Sequence, residues 1–217
     1  MGIPITDQQA DALLRYRDIV LEANKKFNLT AITDSKDFVI KHIIDSLVAV
    51  NEIPKGAKLC DIGAGAGFPS MPLAIARDDV CVTALDSTAK RMLFVAESAK
   101  LLEIKNINTI IGRAEEQNSH FNTYDVVTAR AVSALPVLLE LSLPLLKVGG
   151  LFLAYKTDES ELISCASALK TLNAKHVHTV FAELPNGDKR AVLVFEKVAK
   201  TPPQYPRTYG AIKKKPL

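Results

Sequence analysis

The 217-residue sequence has only three cysteines, Cys60, Cys81 and Cys165, which lie far apart in apolar segments. It contains no Cys-x-x-Cys or His-x-x-x-His spacing. An odd number of scattered cysteines argues against a disulfide framework and against a zinc site, and it is typical of a reducing compartment. We therefore predict a cytoplasmic protein that holds no metal ion.

Long hydrophobic runs are also missing. The most apolar stretch, Leu135–Leu146, is interrupted by Pro136, Glu140 and Pro144, so it is too short and too polar for a membrane span. The first residues show no basic region followed by an apolar one, as a secretion signal would have. We expect neither a membrane anchor nor a leader.

The charge is unevenly distributed along the chain. The whole sequence carries +3, whereas residues 197–217 hold six cations and no acid, so the remainder is −3. With 48% apolar and 24% charged residues, the composition excludes disordered, collagenous and fibrous classes. It predicts a packed domain followed by a basic C-terminal tail, residues 199–217.

Two helices are predicted before the main domain. Thr6 and Gln9 form a capping-box pattern, and apolar residues recur at helical spacing from there to about Lys26. A second amphipathic helix is predicted from Asp34 to Asn51. We assign residues 1–56 to an N-terminal helical cap.

From residue 57 onward, strands alternate with helices. Strands are predicted over 58–62, 80–86, 107–111, 124–129, 151–156, 176–183 and 190–197, and helices over 71–77, 88–102, 135–146 and 159–172. Asn186-Gly187 between the last two strands is a strong hairpin signal. The pattern predicts an α/β, Rossmann-like, doubly wound and mostly parallel seven-stranded sheet that ends in an antiparallel hairpin. This is the layout of class I S-adenosylmethionine-dependent methyltransferases, and we assign residues 57–198 to that domain.

A glycine-rich loop follows the first strand. It reads Gly-x-Gly-x-Gly through Gly63, Gly65 and Gly67, and Phe68 stands where the dinucleotide pattern Gly-x-Gly-x-x-Gly has its third glycine. That spacing favours S-adenosylmethionine, which has no phosphate, over a nicotinamide dinucleotide. Asp86, 23 residues after Gly63, ends the second strand and is placed to accept the ribose hydroxyls of either ligand. The alternative is a turn that only packs helix on strand.

Two further positions belong to the same pocket if the topology is right. Ala114 and Glu115 follow the third strand, where backbone N–H groups and a carboxyl group can meet an adenine edge. Arg130 follows the fourth strand and faces the place where donor and acceptor would meet. The alternatives are an exposed acidic helix start and a surface arginine.

These residues resemble the RsmG (GidB) family of bacterial methyltransferases, which modify N7 of a guanine, guanine 527, in 16S ribosomal RNA. The resemblance covers almost the whole chain. It is carried by the segments 28–32, 42–47, 61–75, 86–87, 90–91, 113–116, 128–132, 205–207 and 215–217. Where the family usually has glycine, this sequence has Ser70 and Thr157.

The resemblance implies that S-adenosylmethionine is the cofactor and that Gly63, Phe68, Ala114, Glu115 and Arg130 contact it, with Asp86 as ribose ligand. The partner it implies is 16S ribosomal RNA or the small ribosomal subunit. We further expect a monomer. Candidate RNA-binding residues are Lys25, Lys26, His42, Lys90, Arg91, Lys156, Arg207 and the run Lys213–Lys215.

No residue is assigned as a catalytic base. Guanine N7 has a free lone pair at neutral pH, so it can attack a sulfonium methyl group without losing a proton first. The predicted contribution of the protein is orientation of the reacting atoms. His42 and Asp45, nearly one helical turn apart, are interpreted as a helix-face contact rather than an acid–base pair.

Three other functions stay open from the sequence. The first is a methyltransferase for a small molecule or a protein. The second is a nicotinamide dehydrogenase, which the glycine spacing and the terminal hairpin disfavour. The third is a non-catalytic ribosome-binding module with this fold, which would not bind an S-adenosyl compound.

Overall fold

A computed structural model describes residues 5–217, so the first four residues of the predicted N-terminal cap lie outside it. Its core is one seven-stranded sheet in the order β3-β2-β1-β4-β5-β7-β6. The strands are β1 (Lys58–Ile62), β2 (Cys81–Asp86), β3 (Ile107–Ile111), β4 (Tyr124–Arg130), β5 (Leu146–Lys156), β6 (Ala174–Glu183) and β7 (Lys189–Lys197). The α-helices are α1 (Asp7–Asn24), α2 (Ser35–Phe38), α3 (Ser70–Ala76), α4 (Ala89–Leu101), α5 (Leu135–Ser142), α6 (Ala166–Thr171) and α7 (Tyr209–Lys214).

Strand pairing confirms the predicted architecture. Strands β1 to β5 are parallel, and β7 pairs antiparallel with both β5 and β6. The strand order reverses between β1 and β4, and the carboxyl ends of parallel strands meet there at one edge of the sheet. In open α/β sheets, ligands bind in the crevice at such a point.

The N-terminal helices agree only in part with the predicted pattern. The Thr6 capping box is present, and α1 ends at Asn24. The second predicted helix, Asp34 to Asn51, is instead interrupted: α2 continues as a π-helix over Val39–Ile44, and a separate 3₁₀ turn spans Val50–Glu52. Periodicity of 3.6 residues does not reveal a π-helical turn, and such turns are frequent at functional sites.

Two other helix bounds are corrected. The predicted helix 135–146 ends at Ser142, because Leu146 already begins β5 and pairs with Tyr124. The predicted helix 159–172 starts as a 3₁₀-helix, Ser160–Cys165, and becomes α6 only at Ala166.

Two apolar clusters sit on the sheet. One joins α1, α3 and α4 to it, with Tyr16, Met71 and Met92 fully buried. The other joins α5, α6 and α7, with Leu139 and Ile212 fully buried. The cap helices and the C-terminal segment therefore pack on the same sheet as the central domain. The division into three units stays a prediction.

Ser70 and Thr157, the two departures from the family pattern, both have backbone conformations open to any residue. Ser70 begins α3 and Thr157 follows β5, and neither has a positive φ, so no glycine is needed at these positions. Among residues 5–217, no helix is long and apolar enough to cross a membrane. The same residues contain no cluster of metal-binding side chains.

Candidate active site

The glycine loop turns sharply between β1 and α3. Gly63, Gly65 and Gly67 all have positive φ, at 68°, 57° and 83°. A Cβ atom at Gly67 would lie 2.4 Å from the buried Tyr16 hydroxyl, and one at Gly63 would lie 2.5 Å from a methyl group of Val132. Glycine is required here for both conformation and space.

A cavity of about 200 Å³ opens beside this loop, and we call it the glycine-loop cavity. Gly63, Asp86, Ala114 and Glu115, all predicted as cofactor ligands, line it together. Its apolar walls come from Ile62, Leu85, Val132 and Leu141. The carboxyl ends of β1, β2 and β3 thus bring the four predicted residues into one site.

Asp86 lines this cavity and is only 7% exposed. One carboxylate oxygen accepts from the Gly65 N–H at 3.0 Å, and the other accepts from the Thr88 N–H at 2.8 Å. Arg91 approaches at 3.7 Å. Each oxygen keeps a further lone pair for a ligand hydroxyl group. A carboxylate over a glycine turn, between apolar walls, fits the ribose and adenine of S-adenosylmethionine.

Phe68 connects the glycine loop to the N-terminal helices rather than to the glycine-loop cavity. Its ring stacks on His42 with centroids 4.6 Å apart and planes at 15°, and it also contacts Phe38 and Tyr16. The Tyr16 hydroxyl donates to the Ala66 carbonyl. The cap helices therefore hold the loop from its outer side.

A second cavity of about 400 Å³ lies at the end of β4, and we call it the arginine cavity. Arg130 and Arg190 line it and share the carboxylate of Asp45, at 2.9 Å and 3.0 Å. The carbonyl of Lys41, inside the π-helical turn, also accepts from Arg130 at 2.9 Å. Asp45 is 6% exposed, so its ion pairs are nearly enclosed, and Arg190 also pairs with Asp188 at 3.5 Å.

His42 lines the arginine cavity with both ring nitrogens engaged. Burial and the nearby Arg130 charge lower the pKa of His42 to about 4, so the ring is neutral at pH 7. Arg130 can only donate, so Nδ1 accepts from it at 3.1 Å and the proton sits on Nε2, 2.7 Å from the Thr30 hydroxyl. The imidazole has no free lone pair.

Asp61 is the last residue but one of β1, just before the glycine loop, and is fully buried. Burial raises the pKa of its carboxyl group to about 7, although hydrogen bonds from Thr128 and Ser70 act in the opposite direction. The Thr128 hydroxyl donates to it at 2.9 Å and the Ser70 N–H at 3.1 Å. Asp61 therefore ties β1, β4 and α3 together behind the loop.

Lys156 lines the arginine cavity, but its ammonium group is bound by other residues of the protein. Its ammonium group donates to Glu161 at 2.7 Å and to the Ser133 carbonyl at 2.9 Å. The second oxygen of Glu161 accepts from the Leu135 N–H. Lys156 thus braces the segment after β4, and its role in RNA binding stays a prediction.

The other predicted RNA-binding residues fall into two groups. Lys90 stands 3.7 Å from the centroid of the Phe27 ring, which brings the start of α4 beside Lys25 and Lys26 at the end of α1. Arg91 lines the glycine-loop cavity on the same side. Arg207 lies elsewhere, and its side chain is bound by the fully buried Glu140.

Several residues of the site are absent from the predicted set. Arg190 and Tyr155 line the arginine cavity, and Tyr209 lines the glycine-loop cavity. A signal for Arg190 exists in the hairpin: it is the second residue of β7, and the residue after it, Ala191, pairs with Lys156 at the end of β5. Without knowing that β7 inserts beside β5, the sequence does not place it near Arg130.

Comparison with known proteins gives a consistent result. Residues 9–192 match the GidB family model, described as rRNA small subunit methyltransferase G. The ribosomal RNA small subunit methyltransferase G of Leuconostoc citreum is 42% identical over 225 aligned positions, which cover all of this chain and 94% of that protein.

Solved structures share the fold at low identity. The TYW2 structure of M. jannaschii in complex with AdoMet superposes with a TM-score of 0.60 at 17% identity, covering 72% of this chain and 76% of that one. A SAM-dependent methyltransferase from Aquifex aeolicus also gives 0.60 at 16% identity, with 82% and 98% covered. Both confirm the class I methyltransferase fold.

Proposed function

Because the chain belongs to the GidB family of small-subunit ribosomal RNA methyltransferases, we propose that it methylates N7 of a guanine in 16S ribosomal RNA, at position 527. It is an S-adenosylmethionine-dependent enzyme of the class I fold. The family establishes methyl transfer to small-subunit ribosomal RNA, and the guanine and its N7 atom are our proposal.

One observation carries the choice of atom. Every titratable side chain that lines the arginine cavity already has a partner. Both His42 nitrogens are hydrogen-bonded, and both Asp45 oxygens are paired with arginines. The Tyr155 hydroxyl donates to the Ser46 carbonyl, and Lys156 is paired with Glu161. His42 has no free lone pair, and the ion pairs with two arginines make the Asp45 carboxylate a poor base, so the site suits an acceptor that needs no deprotonation.

Guanine N7 is such an acceptor. S-adenosylmethionine supplies a methyl group on a sulfonium. The N7 lone pair forms the new N–C bond while the S–C bond breaks with its electrons returning to sulfur, which leaves a cationic base and a neutral thioether. No proton moves, so rate enhancement comes from holding nitrogen, carbon and sulfur in line.

The residues divide this work between the two cavities. We propose that Asp86 accepts the ribose hydroxyls, that Ala114 and Glu115 meet the adenine, and that Gly63, Gly65 and Gly67 leave room for the donor beside the loop. Arg130, which lines the arginine cavity at the end of β4, is proposed to orient the methionyl end. Phe68 and His42 fix the loop against the cap helices.

RNA phosphates are proposed to contact Lys25, Lys26, Lys90 and Arg91. The support is their position: Arg91 lines the glycine-loop cavity, and its neighbour Lys90 contacts Phe27, which directly follows Lys25 and Lys26. Phosphate contacts set register and make affinity fall with salt. We also propose that the enzyme acts as a monomer in the cytoplasm, which sedimentation and cell fractionation test.

The decisive experiment maps the modified atom. Purified protein is incubated with methyl-labelled S-adenosylmethionine and small ribosomal subunits, or with deproteinised 16S ribosomal RNA. Nucleoside digestion and mass spectrometry are expected to give 7-methylguanosine, and strand scission at the cationic base to place it at one position. Label on another atom, or only in metabolites, would overturn the proposal. The Asp86→Asn variant, which loses donor contacts, is expected to incorporate little label.

A further inference from the structure

The C-terminal segment is not a free basic tail. Of the six cations in residues 197–217, Lys197 is fully buried in β7 and Arg207 is paired inside the protein. Residues 205–214, which we call the C-terminal strap, fold back against α5. Ile212, at the middle of α7, is fully buried in the apolar cluster of that face.

A buried ion pair anchors the strap. Glu140 in α5 is 0% exposed and receives three hydrogen bonds from Arg207: from its backbone N–H at 2.9 Å, from Nε at 2.8 Å and from Nη2 at 2.5 Å. Charge-assisted bonds of this kind fix geometry as well as energy. Tyr209 lies only two residues after Arg207, so this ion pair fixes its position.

Tyr209 faces the glycine-loop cavity. It lines that cavity together with Gly112, Ala114 and Glu115, the residues assigned to the adenine edge. The Arg113 guanidinium, which also lines the cavity, lies 5.1 Å from the centre of its ring. An aromatic ring beside a nucleobase site offers a stacking or edge contact that is favourable for any base.

We propose that the strap is the outer wall of the adenine end of the donor site, with Tyr209 as a cofactor-binding residue and the Glu140–Arg207 pair as its positioning device. The inference rests on the proposed placement of S-adenosylmethionine in the glycine-loop cavity. It assigns the strap to donor binding rather than to RNA binding.

The test compares two kinds of strap variant. Tyr209→Ala removes the ring, Tyr209→Phe keeps it, and the triple change Lys213→Ala, Lys214→Ala, Lys215→Ala removes exposed charge without touching the cavity. Calorimetry with S-adenosylhomocysteine is expected to show about tenfold weaker binding for Tyr209→Ala alone. Affinity for 16S ribosomal RNA, measured with the same variants, is expected to stay unchanged for Tyr209→Ala.

The outcomes separate this inference from the proposed function. If wild-type protein binds no S-adenosylhomocysteine, the donor site itself is wrong. If wild type and Tyr209→Ala bind it equally well, only the strap inference fails. If the lysine variant loses donor affinity and Tyr209→Ala does not, the strap acts through charge and the inference is overturned.

A second variant keeps the test decisive if Tyr209→Ala does not fold. The chain contains no tryptophan, so Tyr209→Trp introduces a single tryptophan at the wall, which can be excited selectively over the remaining tyrosines. Its emission is expected to shift on titration with S-adenosylhomocysteine. Phe181→Trp, at a position 66% exposed on β6, is the matched control and is expected to show no shift. Equal responses, or none from Tyr209→Trp, would overturn the inference.

Discussion

The glycine-loop cavity and the arginine cavity open at the same sheet edge but are held together by different forces. The first is shaped by backbone: positive φ at three glycines, and N–H groups that bond Asp86. The second is shaped by charge, with Asp45 holding Arg130 and Arg190 across 85 and 145 residues of sequence.

This difference predicts which kinds of substitution disrupt each cavity. A cavity shaped by backbone tolerates loss of charge nearby but not an added Cβ atom, because the close approach leaves no room. A cavity shaped by ion pairs tolerates small changes in volume but not removal of one partner, because the other charges are then left with reduced solvation and no counterion.

The largest effect is expected at Asp45. The Asp45→Asn change leaves two arginines in the cavity without their shared counterion, and we expect it to lower the free energy of unfolding by about 3 kcal/mol. Methyl transfer should fall with it, because Arg130 loses its fixed orientation. Urea denaturation measures the first effect and incorporation of labelled methyl the second.

Asp37→Asn is the matched control, two helical turns away on the same segment. Asp37 pairs with Lys41, but both side chains are substantially exposed, at 46% and 32%. Exposed pairs contribute less than about 1 kcal/mol, so stability and activity should hardly change. Equal losses in the two variants would mean that ion pairing does not shape the arginine cavity.

The next effect is expected at Gly67. Gly67 and Gly149 have the same φ of 83°, but a Cβ atom at Gly149 would have no neighbour within 4 Å, whereas one at Gly67 would meet the Tyr16 hydroxyl. Gly149→Ala should cost about 1 kcal/mol from backbone strain. Gly67→Ala should cost about 2 kcal/mol or more, because Tyr16 must also give up its bond to Ala66.

Only the Gly67 change should alter donor binding. Calorimetry with S-adenosylhomocysteine is expected to show weaker binding by Gly67→Ala and unchanged binding by Gly149→Ala. Stability of both is measured by denaturation. If the two variants lose the same stability and both bind normally, close packing on the loop is not what shapes this cavity.

The same contrast explains how much the sequence could predict. The glycine-loop cavity comes from one contiguous loop and the ends of the next two strands, so alternation of strands and helices sufficed to place Gly63, Asp86, Ala114 and Glu115. These positions depend on local backbone rules that leave a pattern in the sequence. The parallel sheet and its terminal antiparallel hairpin followed from the same alternation and from the Asn-Gly turn, but the place of β7 between β5 and β6 did not.

The arginine cavity has a weaker signal in the sequence than the glycine-loop cavity. Arg130 was placed because it ends β4, but its partner Arg190 depends on β7 inserting between β5 and β6. The π-helical turn that offers the Lys41 carbonyl has no sequence periodicity of its own. Tyr209 was missed because six cations in residues 197–217 suggested a tail, while a single buried acid, Glu140, decides where that segment lies.

A third prediction uses pH, because His42 in the arginine cavity and Asp61 behind the glycine loop have pKa values shifted in opposite directions. The pKa of His42 is lowered to about 4, so His42 stabilises the fold fully above pH 6.5 and loses that contribution as pH falls toward 4. The pKa of Asp61 is raised to about 7, so Asp61 stabilises the fold most below pH 4 and loses that contribution as pH rises toward 7.

The two contributions oppose each other between pH 4 and 6.5. Relative to wild type, Asp61→Asn should make stability rise more steeply with pH across that window, and His42→Asn should make it rise less steeply. Urea denaturation at several pH values measures both slopes. Slopes that change in the same direction would show that at least one of the two groups is not perturbed as described.

The smallest effect is expected where RNA meets the open edge. Lys90 stands beside the glycine-loop cavity at the start of α4, whereas Lys147 lies at the amino-terminal end of β5, on the opposite edge of the sheet. Each phosphate contact contributes about one unit to the slope of log affinity against log salt concentration. Lys90→Ala should therefore reduce that slope for 16S ribosomal RNA by about one, while Lys147→Ala leaves it unchanged. An equal reduction in both variants would mean that RNA does not bind preferentially at the sheet edge where the glycine-loop cavity and the arginine cavity open.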